Sequence, residues 1–382
     1  GLLLAAALFL ISAVGSSIPD KMNFLGAEVI SSFIFYRVVG GIGVGLASML
    51  SPMYIAEIAP ANIRGKLVSW NQFAIIFGML VVYFVNYTIA RGQDQSWIDQ
   101  TGWRWMFASE TIPASLFLIL LFFVPETPRF LVMNNKEGHA LKLLTRLSGA
   151  SKAESVLSDI KRSLVHKRVP WLSYGGLVIV IGIFLSVFQQ FVGINVVLYY
   201  ASSIFSNMGS DTDASLLQTI IVGAVNLVFT VLAIFTVDKF GRKPLQIIGA
   251  LGMAASMICL GFSFYFNNLG IVSLIFMLSY TAFFAMSWGP VTWVLLSEIF
   301  PNSIRGAMSI AVAAQWIANL VVSWTFPILD GNPWLTDEFH KGFAYWIYGF
   351  MSILAAVFVW KLVPETKGKT LEDMENLWKK KK

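Results

Sequence analysis

The sequence predicts an all-α polytopic membrane protein, and three observations lead there. Of the 382 residues, 57% are hydrophobic and only 13% charged, where a soluble chain of this length carries roughly a quarter charged residues. The apolar residues gather into blocks of about 20, enough for a helix to cross a hydrocarbon core of ~30 Å. The polar segments between blocks alternate in charge, basic then not, along the chain.

Ten spans follow in order, near 2–18, 31–56, 67–90, 105–124, 172–204, 214–236, 245–266, 270–297, 307–327 and 343–363. The second holds RVVGGIGVG at 37–45, where Gly41-x-x-x-Gly45 would let a neighbouring helix approach closely. The third carries Gln72, and the fourth carries Glu110 beside Pro113. Between the fourth and fifth lies a polar stretch, 126–170, whose apolar residues (Ala140, Leu143, Leu144, Leu147; Val156, Leu157, Ile160, Leu164) recur at helical spacing. It reads as two or three amphipathic helices on the membrane surface. The fifth span contains FQQFVGINVVLYYA at 188–201, and Gly193 there is a natural break. The sixth carries Asn226 and the seventh Cys259, a lone cysteine that excludes a disulfide framework. Gly289-Pro290 loosens the eighth, Gln315 and Trp316 lie in the ninth, and the tenth runs into a basic tail.

One set of segments holds Arg64 and Lys66, the 126–170 stretch, Lys239, Arg242, Lys243, Arg305 and the tail from Lys361. The other set (19–30, 91–104, 205–213, 267–269, 328–342) holds few bases. The positive-inside rule puts the first set, and with it the C-terminus, in the cytoplasm. The net charge of +6 is therefore a topology signal and not a nucleic-acid footprint.

Two strings recur. EIAPANIRG at 57–65 returns as EIFPNSIRG at 298–306, and VPETPRFL at 124–131 returns as VPETKGKTL at 363–371, offsets of 241 and 239 residues. Parallel repeats at this period mark a two-bundle secondary transporter. Overlaying the copies sets the first span against 245–261, so two spans of the second copy have no counterpart. The expected architecture is two six-helix bundles, here a fragment lacking the first two helices. Its domains are an incomplete N-terminal bundle at 1–125, amphipathic linking helices at 126–170, a C-terminal bundle at 171–364 and a cytoplasmic tail at 365–382.

These residues carry a resemblance. RVVGGIGVG, the paired E-x-x-P-x-x-x-R-G strings, PETPR at 125–129, QQFVGINVVLYY at 189–200, DKFGRKP at 238–244, GPVTWVLLSEIFP at 289–301 and PETKGKTLE at 364–372 all match one family, in its order. The chain resembles the sugar porter family of the major facilitator superfamily, and within it the bacterial D-xylose/proton symporters. That implies import of a monosaccharide, D-xylose or a related pentose or hexose, by proton symport and alternating access across a bacterial inner membrane. The alternatives are a facilitative uniporter, a non-transporting sensor or a truncated remnant.

The chemistry fits a polyol. A sugar hydroxyl both donates and accepts, and Gln and Asn amides offer both functions without charge. Trp and Tyr suit the apolar ring face. The residues themselves offer Gln72, Gln189, Gln190, Asn195, Asn226 and Gln315, with Asn319 four residues beyond Gln315 on the same face. The resemblance places Gln72, Gln189, Gln190, Asn195, Trp293, Gln315 and Trp316 in the sugar site, with Tyr199 and Phe284 flanking it; Asn226 and Gly289 complete the candidate set. The xylose symporters carry a second glutamine seven residues after Gln72, where this chain has Met79.

Arg37 and Glu110 are charges within spans, and such charges are functional candidates. In proton-coupled members the arginine faces an aspartate on the first helix; here the two are assigned to proton coupling. Glu57, Arg64, Glu126, Asp238, Arg242, Glu298 and Arg305 fall at cytoplasmic helix ends and resemble the family's inner gate. An enzyme is not expected. GKT at 368–370 has valine at 363, where a phosphate loop needs glycine, and His139, His166 and His340 all sit in loops. No catalytic group, metal or cofactor is called for. The expected partners are the sugar, a proton and the bilayer, with no nucleic acid and a monomeric chain.

Overall fold

Helices form wherever the apolar blocks predict them, and glycine and proline decide where they stop. The computed structural model describes residues 1–23, 28–59, 64–165, 170–300, 302–367 and 378, with no strand among them. These divide into two units, Gly1–Ile75 with Phe84–Lys167, and Ile76–Tyr83 with Arg168–Lys382.

The first unit holds α1 (Leu2–Ser17), α2 (Val29–Ile58), most of α3 (Arg64–Ala90), α4 (Gln95–Trp97), α5 (Trp103–Ser109), α6 (Thr111–Leu121), α7 (Pro128–Met133), α8 (Glu137–Ser148) and α9 (Ala150–Val165). A π-turn at Ile98–Gly102 joins α4 to α5, so the fourth span starts at Gln95, earlier than expected. Pro113 has no N–H for the carbonyl of Ser109, and the helix is interrupted at Glu110. α1 packs on α2, α5 and α6. The close approach is not at Gly41 and Gly45, where an added Cβ would meet nothing within 4 Å. It is at Gly40, where a Cβ would fall 2.3 Å from Ser12 Oγ, and Gly43, 3.2 Å from the Ala5 carbonyl. The GxxxG spacing is present but rotated away from the contact.

α8 and α9 are amphipathic, as the 3.6-residue pattern requires. They bury Ala140, Leu144 and Ala153 and are tied by Lys161 to Glu137 at 2.6 Å. With α7 they group with the first unit as far as Lys167. His139 therefore lies on a helix and not in a loop, whereas His340 occupies a left-handed turn; His166 lies outside the described residues.

The second unit holds α10 (Leu177–Phe191), α11 (Ile194–Tyr199), α12 (Ala201–Asn207), α13 (Thr212–Phe240), α14 (Arg242–Tyr265), α15 (Ile271–Met286), α16 (Pro290–Ile299), α17 (Met308–Asp330), α18 (Pro333–Phe339) and α19 (Phe343–Leu362). α14 packs on α15 and α19, and α10 on α17. A continuous core runs from Val178 to Val363, while Phe235, Ile248, Ile317 and Trp324 point outward. Helices apolar on every side need a hydrocarbon solvent for the outward face. Among the described residues nine helices are long and apolar enough to span a bilayer. The remaining expected span, the first, is α1, with 16 residues, about 24 Å of helix.

Candidate functional site

In the second unit two broken helices bring amides and free backbone carbonyls together. Gly193 sits in the left-handed region at φ 94°, ending α10 and starting α11. A side chain there would be strained, and its Cβ would lie 2.6 Å from the Tyr348 ring. The break turns Asn195 back onto α10, so its amide donates to Gln190 Oε1, and to Asn319 Oδ1 of α17 at 2.9 Å. Ser323 also donates to Asn319 Oδ1, at 3.2 Å. On an unbroken helix Gln190 and Asn195 would point in different directions.

The second break separates α15 from α16 at 287–289. Gln189 donates Nε2–H to the Trp288 carbonyl at 2.8 Å and to that of Gly289 at 3.3 Å. Its Oε1 is buried and has no hydrogen-bond partner among the described residues, and the same holds for Gln315 Oε1 on α17 and for the Tyr348 hydroxyl. Native structures contain few buried polar atoms without partners. Gln189 and Gln315 each present an amide acceptor suited to an O–H donor; Gln246 Oε1 and Asn86 Oδ1 are buried without a partner elsewhere among the described residues.

Gln189, Gln190, Asn195 and Gln315 thus belong to the two broken helices and the facing α17. Trp293 lies on α16, half-buried against the core, and Phe284 is buried one turn before the break. Asn226 is buried on α13. Tyr199 and Trp316 are 54% and 39% exposed. Gln72 is half-buried on α3 in the first unit. Asn319 was visible in the sequence as Gln315 plus four. Tyr348 was not, because only the positive φ of Gly193 brings that ring against the break.

In the first unit Arg37 and Glu110 meet. Arg37 Nη1 lies 3.4 Å from Glu110 Oε2, and its guanidinium sits over the Phe107 ring at 5.0 Å. The interruption before Pro113 puts Glu110 opposite α2 at this level. Each charge within a span lowers the cost of the other. Nearer the chain's polar loops, Arg104 pairs with Asp20 and covers Trp103. The hydrogen bond from Arg104 holds the Asp20 carboxyl below its ordinary value. Among the described residues no three His, Cys, Asp or Glu side chains converge to hold a metal ion.

Comparison with known proteins identifies the family. The family described as Sugar (and other) transporter matches residues 1–378. The chain belongs to the sugar transporter family. The D-xylose-proton symporter of Escherichia coli K12 is 62% identical over 390 aligned residues, covering 98% of this chain and 79% of that one. The glucose facilitated diffusion protein of Zymomonas mobilis is 42% identical, covering 100% of this chain and 82% of that one. Among solved structures, the major facilitator superfamily proton:xylose symporter XylE bound to 6-bromo-6-deoxy-D-glucose superposes with a TM-score of 0.83 at 61% identity, covering 99% of this chain and 82% of that one. The major facilitator fold is thereby established.

In this sugar transporter a second polar cluster closes one end of the second unit. Arg242 grips Glu298 bidentately, Nη2 to Oε1 at 2.9 Å and Nε to Oε2 at 3.2 Å, and Thr366 donates to the same carboxylate. Glu365 accepts four backbone N–H groups, from Arg242, Lys243, Thr366 and Lys367, at 2.8–3.2 Å. Two of those belong to the N-terminus of α14, where orphan donors and the helix dipole favour an anion. Partial burial raises the Glu365 pKa, but the four N–H bonds outweigh it and hold the carboxyl below its ordinary value. Trp378 is buried nearby and donates its indole N–H to the carbonyl of Ile299, the last residue of α16, at 2.9 Å.

Of the expected gate residues, Arg242 and Glu298 meet, and Glu365 was not foreseen. Glu57 is half-buried on α2 and Glu126 is exposed after α6. The side chains of Arg64, Asp238 and Arg305 lie outside the described residues, as do 368–377 and 379–382 of the tail.

Proposed function

We propose that this sugar transporter carries D-xylose, or a closely related pentose or hexose, together with a proton, by alternating access. The observation that carries the reading is the pair of buried amide oxygens, Gln189 Oε1 and Gln315 Oε1, with no donor among the described residues. They flank a network in which Asn195 donates to Gln190 and Asn319, and Ser323 donates to Asn319. A polyol supplies the missing O–H donors, and Trp293 and Trp316 offer faces to its C–H surface. D-xylose is favoured because the symporter named for it is 62% identical.

Proton coupling is assigned to Arg37 and Glu110, the charged pair inside the spans of the first unit. Protonating the carboxyl would free the guanidinium and give the two states of a coupled cycle. Facilitated diffusion is the second reading, favoured by the Zymomonas relative, a glucose facilitated diffusion protein. The transporter is proposed to act as a monomer in a bacterial inner membrane. The basic segments 126–170 and 361–382 support a cytoplasmic C-terminus by the positive-inside rule.

One assay separates the two readings. D-xylose is added to de-energised cells producing the protein, and external pH is followed alongside labelled sugar uptake. Alkalinisation that accompanies uptake, and is lost in Glu110→Gln, is the expected result. Uptake with no pH change would leave facilitated diffusion. Absence of both uptake and calorimetric binding for every aldose tested would overturn the sugar assignment.

A further inference from the structure

The α15–α16 break and the Arg242–Glu298 pair are joined by further buried polar groups. Trp288, in the break, donates its indole N–H to the backbone carbonyl of Gln246 on α14 at 2.9 Å. The Gln246 side chain donates Nε2–H to Thr292 Oγ1, in the first turn of α16, at 3.0 Å. Trp288, Gln246 and Thr292 are each 0% exposed, so no bulk water competes for these bonds. The carbonyl of the same Trp288 is the one that Gln189 holds.

The spacing on α14 is systematic. Arg242, Gln246 and Gly249 stand at i, i+4 and i+7, one helical face. Arg242 binds Glu298 near the end of α16, Gln246 binds Thr292 near its start, and Gly249 lets the break itself come close. A Cβ at Gly249 would fall 1.8 Å from Ser287 Oγ, so that position has no room for a side chain. α16 is only 10 residues long, about 15 Å, and carries both Trp293 and Glu298. A helix this short, fixed to α14 at both ends, moves as one piece or stays put.

We propose that Gln246, acting through Trp288 and Thr292, is a positioning residue that couples the amide cluster at Gln189 to the Arg242–Glu298 pair. The proposal rests on the sugar-transport reading. A ligand that draws on Gln189 shifts the Trp288 carbonyl; the indole and Gln246 pass that shift to the register of α16 against α14. The Arg242–Glu298 pair is favoured or disfavoured accordingly. A double-mutant cycle measures this coupling directly.

The full chain is purified in detergent as wild type, Gln246→Leu, Glu298→Gln and the double variant. Hydrogen–deuterium exchange over 290–299 needs no sugar, and Gln246→Leu is expected to speed it several-fold, as Glu298→Gln does. Calorimetric D-xylose titration is expected to show at least a threefold change in Kd for Glu298→Gln in the wild-type background and none in the Gln246→Leu background. The same Kd change in both backgrounds, no change in either, or unchanged exchange over 290–299 would overturn the coupling. Should Gln246→Leu fail to give a monodisperse protein, Thr292→Val takes its place with the same expectations. If the wild type binds neither D-xylose nor any other aldose, the sugar reading fails by itself, and the exchange measurement still decides whether Gln246 fixes α16.

Discussion

Replacing Gln189 by methionine keeps the side-chain length and removes both its amide donor and its acceptor, and the structure predicts two separate losses. The first is to the fold. The Trp288 carbonyl, freed by the helix break, loses its 2.8 Å donor in a fully buried environment. An orphaned buried acceptor costs about 1–3 kcal/mol. The 3.3 Å bond to Gly289 adds little at that length. The melting temperature in detergent should therefore fall by a few degrees. The second loss is to ligand binding. Gln189 Oε1 has no partner among the described residues, so its removal leaves the sugar-free protein unharmed. In the complex it would leave a sugar hydroxyl desolvated without an acceptor, about 1–3 kcal/mol, or roughly 5- to 150-fold in Kd. Scanning calorimetry reads the first and D-xylose titration the second. Wild-type affinity in Gln189→Met would remove Gln189 from the site. An unchanged melting temperature with lost binding would show that the amide does not hold the break.

Gly193→Ala should destabilise the second unit by roughly 2–4 kcal/mol, since it combines an unfavourable positive φ with an overlap on Tyr348. Adding Tyr348→Ala should restore only the steric part, which thermal unfolding of the three variants resolves. Met79→Gln supplies the amide found in the xylose symporters and should tighten D-xylose binding several-fold by calorimetry; weaker binding would mean that position 79 does not serve the sugar. The Glu365 carboxyl is held below its ordinary value, so its stabilisation is complete above the usual carboxylate range and is lost as pH falls through and below it. Melting temperatures between pH 7 and pH 3 should decline for the wild type, and Glu365→Gln should flatten that acid limb. A parallel decline in both would assign it to other groups.

The sequence made some features legible and left others hidden, each for a physical reason. Spans were legible because a bilayer demands about 20 apolar residues in a row. The break at Gly193 was legible because a glycine among buried amides has few other uses. Close helix approach was expected at Gly41 and Gly45 and occurs at Gly40 and Gly43, one and two positions away. GxxxG spacing says that some face is small, while the partner helix chooses which one, and here Ser12 and Ala5 choose Gly40 and Gly43. Gln189 was read as a ligand group only; that its nitrogen holds a backbone carbonyl depends on where α15 ends. Arg37 and Glu110 were each found, but their pairing needed the interruption before Pro113. Glu365 lay inside a quoted motif without a role, because two of its four N–H partners come from a segment more than 120 residues away.

The indole of Trp378 has a practical consequence for anyone handling this protein. It stoppers the open carbonyl end of α16, the helix that holds Trp293 and Glu298. Affinity tags, fluorescent fusions and truncations at the C-terminus are usually regarded as neutral edits. A cut before Trp378, or a bulky fusion joined tightly behind it, strips or strains the stopper. Variants compared for transport should therefore share one identical C-terminal design, or a handle's effect will be credited to a mutation.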